Sequence, residues 1–175
     1  MNRVATGLDI FASDADCELF LAGIAEASGR YATEVHAYCL MSNHFHLLLR
    51  SREGRVSEFM RFVVGRFTRM HNLRLRTDGA VFRCRFVSKL IDSEAHLLEC
   101  VRYIHLNPIE AGLAKTPEAW AWSSAAAYAT RTDQPAWLVT NELLAMFGPI
   151  ERDRYRQFLD DGLALLQAPH TSDGV

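Results

Sequence analysis

A chain of 175 residues that is 49% hydrophobic and 23% charged carries enough apolar material for one domain with a sizeable core and a small appendage. No apolar run approaches the roughly 18 residues of a membrane span, and the N-terminus lacks the basic-then-apolar order of a signal peptide. A cytoplasmic protein without a membrane partner is therefore expected.

The four cysteines, Cys17, Cys39, Cys84 and Cys100, are scattered without CxxC spacing, which argues for reduced thiols over a zinc knuckle or a disulfide frame. The formal net charge of −2 conceals an asymmetry. Between Arg50 and Lys89 there are eleven Lys and Arg against three acids, whereas residues 1–49 hold two basic and six acidic side chains, and residues 90–175 six and twelve. A basic middle suits a polyanion, although a solvated arginine-rich helix face has the same composition.

In chain order, residues 14–26 read as a helix, with Ser13 as N-cap, acids in the first turn and Leu19, Phe20 and Ile24 at helical spacing; Gly29 ends it. Residues 35–50 read as a β-hairpin turning at Ser42-Asn43. Strand side chains alternate, so His44, His46 and Leu48 share one face and Phe45, Leu47 and Leu49 the other. Two imidazoles two residues apart on a strand lie about 6–7 Å apart at Cα, close enough to converge on one ion. A satisfied pair of core histidines is the competing reading.

Residues 57–75 predict a second helix, with an apolar stripe of Phe59, Phe62, Val63, Phe67 and Met70 and with Arg61, Arg66 and Arg69 mostly off it. Residues 80–91 alternate in part and predict a strand that puts Arg83, Arg85 and Lys89 on one side. Asp92 or Ser93 caps a third helix expected to stop near Pro108. On it, His96, Glu99, Tyr103 and Asn107 follow at three- and four-residue steps and form one polar stripe. Tyr103 and Asn107 either face the histidine pair or pack at the helix edge and cap it. His105, about 200° of helical rotation from Tyr103, points elsewhere. Trp120 and Trp122 fit core packing or stacking on bases. Residues 141–147 and 151–166 read as two further helices, and the tail after Ala168 as disordered.

HAYCLMSNHFHLLLR, VFRCRF, RYIHLNPIEAGL and WAWSS, in this order and at these spacings across residues 2–130, are similar to the single-tyrosine HUH transposases, and most resemble the REP-associated tyrosine transposase branch. The resemblance implies an α+β fold with a ferredoxin-like βαββαβα core, an antiparallel sheet with helices on one face. It also implies a domain over residues 1–130, leaving 131–175 as a helical C-terminal extension. Family members begin with a strand beside the histidine strand. Here Met1-Asn2-Arg3 and VATGLDIF replace it, so that strand is expected to be either abbreviated, within residues 4–10, or missing, with another subunit able to fill the gap. Ser42 stands where the family commonly has Pro.

The resemblance further implies that His44, His46 and Asn107 bind a divalent ion, magnesium or manganese, and that Tyr103 is the nucleophile. The expected activity is cutting and rejoining of single-stranded DNA near hairpins through a 5′-phosphotyrosine link. Phenols titrate near about 10, so a cation such as Arg102 beside the ring would favour phenolate. Arg50, Arg52, Arg55, Arg61, Arg66, Arg69, Arg83, Arg85 and Lys89 form the pool of phosphate contacts on single-stranded or hairpin DNA. Two other classes stand beside this one: a binding-only descendant that recognises hairpin DNA, and an unrelated metal hydrolase using the histidine pair. Monomer and homodimer are both open.

Overall fold

The computed structural model describes residues 2–3, 9–82, 86–130 and 134–167. Three strands, β1 (Asn2–Arg3), β2 (Thr33–Leu40) and β3 (His44–Ser51), form an antiparallel sheet in the order β1-β3-β2. Around it lie α1 (Asp14–Arg30), α2 (Val56–Leu75), α3 (Glu94–Glu110), α4 (Ala125–Ala129), α5 (Asn141–Ala145) and α6 (Glu151–Gln167). This is the expected α+β class.

Local chemistry accounts for the early elements. Ser13 N-caps α1, and its backbone N–H and hydroxyl both donate to Asp16, at 3.1 and 2.6 Å. Asp16 is 1% exposed and also accepts from His71 Nδ1 at 2.9 Å and from Arg74, which ties the start of α1 to the end of α2. Burial pushes its carboxyl up, but the bonds from Ser13, His71 and Arg74 outweigh this and hold it below the ordinary value. The β2–β3 turn closes through Met41 N–H to His44 O at 2.9 Å, and the Ser42 carbonyl accepts from the N–H groups of Ile10 and Phe11 at 2.8 and 2.9 Å. A serine thus serves the turn and also anchors the entry to α1.

The sheet is covered on both faces. On one side Val35, Tyr38, Leu40 and Phe45 meet Phe20, Ile24, Phe59, Val63 and Phe67 of α1 and α2. On the other, Ala37, Cys39, Met41 and Leu48 meet Val101, Ile104 and Leu106 of α3, together with Tyr128, Leu144, Tyr155 and Leu159. The reason lies in β2, where seven of eight residues are buried and both faces therefore require a cover. α5 and α6 supply part of that second core.

Among the described residues the first strand is Asn2–Arg3, paired with Phe45 and His44. Asp9 and Ile10 are not in a strand, and residues 4–8 lie outside the described residues.

Of the strand expected over residues 80–91, the centre, 83–85, lies outside the described residues; Phe82 sits in an isolated bridge and the other described positions are not in a strand. Phe82 is drawn into the first core, 5.8 Å by ring centroids from both Phe45 and Phe67, while Val87 and Leu90 are 72% and 86% exposed. Val81 and Phe86 pack against the same core. The outer edge of β2 is instead covered by later segments. Leu40 N–H donates to Trp122 O at 2.9 Å, Ser124 N–H to Tyr38 O at 3.0 Å, and Val139 N–H to Val35 O at 2.9 Å.

The third helix passes through Pro108 and ends at Glu110, with Ala111 as C-cap and Gly112, at φ +69°, in the left-handed region just beyond. Proline removes one backbone N–H only in the last turn, and its own carbonyl accepts from Leu113 at 2.8 Å. The tail expected to be disordered lies outside the described residues.

Candidate active site

The hairpin and α3 bring three side chains together. His44 and His46 project from β3 toward α3, with ring centroids 5.0 Å apart and planes at 87°. The ring of Tyr103, on α3, lies 5.2 Å from that of His46 at 84°. His46 is buried and Tyr103 is 48% exposed, so the phenol stands at the rim with its inner edge on an imidazole. Ser93 caps the helix that carries it, accepting from His96 N–H at 3.3 Å.

Hydrogen bonds orient these groups. His44 Nδ1 donates to Asn43 Oδ1 at 2.7 Å, which leaves the neutral ring's lone pair on Nε2. Asn107 is buried, and its amide Nδ2 donates to the Tyr103 carbonyl at 2.6 Å. Two imidazoles and one amide oxygen are a donor set that suits a divalent ion. Among the described residues no group of three or more His, Cys, Asp and Glu is placed to hold a metal. The oriented Nδ1 of His44 is a feature the sequence reading passed over. Its signal was Asn43, read there only as a turn residue.

The rest of the α3 stripe turns to local partners. His96 Nδ1 bonds Asp92 at 3.1 Å, and both oxygens of Glu99 accept from Arg102 at 2.6 Å. The Arg102 guanidinium lies over the Phe158 ring at 4.7 Å, so it serves packing against α6, not the phenol of Tyr103. His105 does point elsewhere. It is fully buried, with Nδ1 bonded to Tyr155 Oη and Nε2 to Ser124 Oγ at 2.6 Å, and burial lowers its pKa to about 3. Trp120 Nε1 donates to Leu40 O at 2.9 Å and Trp122 packs on the first core, which resolves both tryptophans as packing residues.

The basic pool divides. Arg50 is bound to Glu34 and, through two nitrogens, to Glu142 of α5. Arg52 also donates to Glu34, at 3.0 Å, and these two arginines hold the Glu34 carboxyl below its ordinary value. Arg55 sits near Glu53 and Glu58 and over the Tyr31 ring, and Arg66 reaches Glu26 at 3.3 Å. Arg61, Arg69 and Lys89 are exposed. Arg61, Arg66 and Arg69 belong to α2, which covers the sheet face opposite the histidine pair. Arg83 and Arg85 lie outside the described residues.

A strand-borne histidine pair thus faces a tyrosine on a helix, on an α+β scaffold. Residues 10–107 match the family described as "Transposase IS200 like", and the chain belongs to that family. The fold is similar to the "Structure of the REP associates tyrosine transposase bound to a REP hairpin", at 18% identity and TM-score 0.64 over 79% of this chain and 81% of that one. No curated protein matches the sequence. No helix among the described residues is long and apolar enough to cross a membrane.

Proposed function

We propose that the protein cuts and rejoins single-stranded DNA next to hairpin structures, with Tyr103 as nucleophile. The observation that carries this reading is the Tyr103 ring held edge-on against His46, beside His44, at the half-open rim of the site. The phenol oxygen attacks a backbone phosphorus and the bond from phosphorus to the 3′ oxygen breaks. The products are a 5′-phosphotyrosyl link and a 3′-hydroxyl that takes up a proton. Bond energy is kept in the phosphodiester, so a 3′-hydroxyl of another strand can reverse the step and release Tyr103. His44, His46 and the Asn107 oxygen would hold magnesium or manganese, which when bound polarises a phosphate oxygen and stabilises the charge that builds on it. Asn43 keeps His44 in the tautomer that binds. The exposed cations Arg61, Arg69 and Lys89 are the phosphate contacts favoured from the larger pool, because acids occupy Arg50, Arg52, Arg55 and Arg66.

The test is incubation with labelled single-stranded hairpin DNA and Mn²⁺ or Mg²⁺, followed by denaturing electrophoresis. An adduct present with the native chain and lost with Tyr103→Phe or chelator supports the proposal. Salt-sensitive hairpin binding without an adduct would replace it with a binding-only role.

A further inference from the structure

α6 lies beyond the residues matched by the family, yet it grips α3 at positions that bracket Tyr103. Gly162 faces α3 at very short range. A Cβ built there would sit 2.6 Å from Arg102 Cδ and 3.0 Å from Leu106 Cδ1, where no real Cβ fits without something shifting. A glycine inside a helix lowers its stability by about 1 kcal/mol relative to alanine, so this one calls for a packing reason. One turn earlier Phe158 lies beneath the Arg102 guanidinium at 4.7 Å, and that guanidinium is also bonded to Glu99. A further turn back, the Tyr155 hydroxyl meets His105 Nδ1. Arg102 is therefore fixed at stem and head, and it cannot swing aside without giving up both Phe158 and Glu99.

We propose that Gly162 and Arg102 form a seat through which α6 sets the rotation and depth of α3, and so the position of the Tyr103 phenol relative to His46. Both are positioning residues, since neither touches the reacting atoms. The inference rests on the reading of Tyr103 as nucleophile. A displacement of about 1 Å at a reacting group costs on the order of 100-fold in rate, so a change of helix spacing is amplified at the phenol. A side chain at 162 displaces Arg102 or drives the helices apart, and removing Arg102 makes room for it again.

The full chain carrying 3-fluorotyrosine at position 103 alone would be compared as native, Gly162→Ala, Gly162→Leu, Arg102→Ala and Gly162→Leu with Arg102→Ala. The ¹⁹F resonance should move slightly in Gly162→Ala, further in Gly162→Leu, and return toward that of Arg102→Ala in the double variant. Adduct formation on hairpin DNA with Mn²⁺ should fall at least about tenfold in Gly162→Leu and recover in the double variant, with hairpin affinity within about twofold throughout. An unmoved resonance in Gly162→Leu, or one that Arg102→Ala does not restore, overturns the seat. If circular dichroism shows Gly162→Leu unfolded, Gly162→Ala decides in the same way. If the native chain forms no adduct, the nucleophile reading fails while the resonance still decides the seat.

Discussion

Lowering the pH from 7 to 5 should weaken the folded state through one buried imidazole. His105 has no exposed surface; Tyr155 of α6 meets Nδ1, Ser124 meets Nε2, Tyr128 of α4 lies against the ring, and Glu118 lies near Tyr155. Burial lowers its pKa from 6.5 to about 3. Because the folded value is depressed, the ring is neutral in both states above pH 6.5. Between 6.5 and about 3 only the unfolded chain takes up the proton, so the stability from the neutral ring is complete above 6.5 and is lost as pH falls. At pH 5 the difference amounts to about 1.5 units, or about 2 kcal/mol, equivalent to roughly 4–8 °C in Tm for a chain of this size.

Urea unfolding followed by tryptophan fluorescence at both pH values, on the native chain and on His105→Gln, measures it. Glutamine keeps a donor and an acceptor but does not titrate. Buried His36, also depressed by burial, is common to both proteins and drops out of the comparison. The native chain should lose about 2 kcal/mol more than the variant on acidification. Equal losses, or an NMR titration of His105 with a midpoint near 6.5, would refute the reasoning.

Asp16→Asn should lower stability by about 2–3 kcal/mol at neutral pH, because Ser13, His71 and Arg74 lose a buried carboxylate. Since that carboxyl is held low, its contribution is present above its unfolded value of about 4 and disappears as pH falls through the folded one, so the gap in urea midpoints should close in acid. Arg50→Ala should lower stability by about 1 kcal/mol without altering the salt dependence of hairpin binding, because Arg50 joins β3 to α5 at a partly exposed site. Arg61→Ala with Arg69→Ala should do the reverse, leaving stability within about 0.5 kcal/mol and reducing the slope of log affinity against log salt by about 1–2. Asn43→Ala should weaken Mn²⁺ binding by about 10–100-fold in calorimetry, since His44 loses the partner that orients it.

The elements legible from sequence were those whose pattern is local. Ser13 and Asp16 signal the start of α1, alternation around Ser42-Asn43 signals the hairpin, and three- and four-residue steps put Tyr103 and Asn107 on one stripe. What that reading missed depends on distant partners. Residues 80–91 alternate like a strand, but among the described ones Phe82 is taken into the core while Val87 and Leu90 stand exposed, so the alternation does not follow burial. Pro108 ended the expected helix because proline is a stop signal, whereas α3 runs two residues further, to Glu110, before Gly112 takes a positive φ. The basic run from Arg50 to Lys89 read as one surface, yet its members divide among acids as remote as Glu142. Charge counted along a chain carries no information about which face of a sheet each arginine occupies.

The outer edge of β2 bears on how the protein is made. The histidine hairpin emerges early in synthesis, but its backbone partners at Trp122, Ser124 and Val139 lie some 80–100 positions later. Closing such long loops is slow and leaves the edge bare meanwhile. β2, the neighbour of the strand bearing the histidines, is thus covered only by the last third of the polypeptide, and a prematurely terminated product would carry the motif without the frame that holds it.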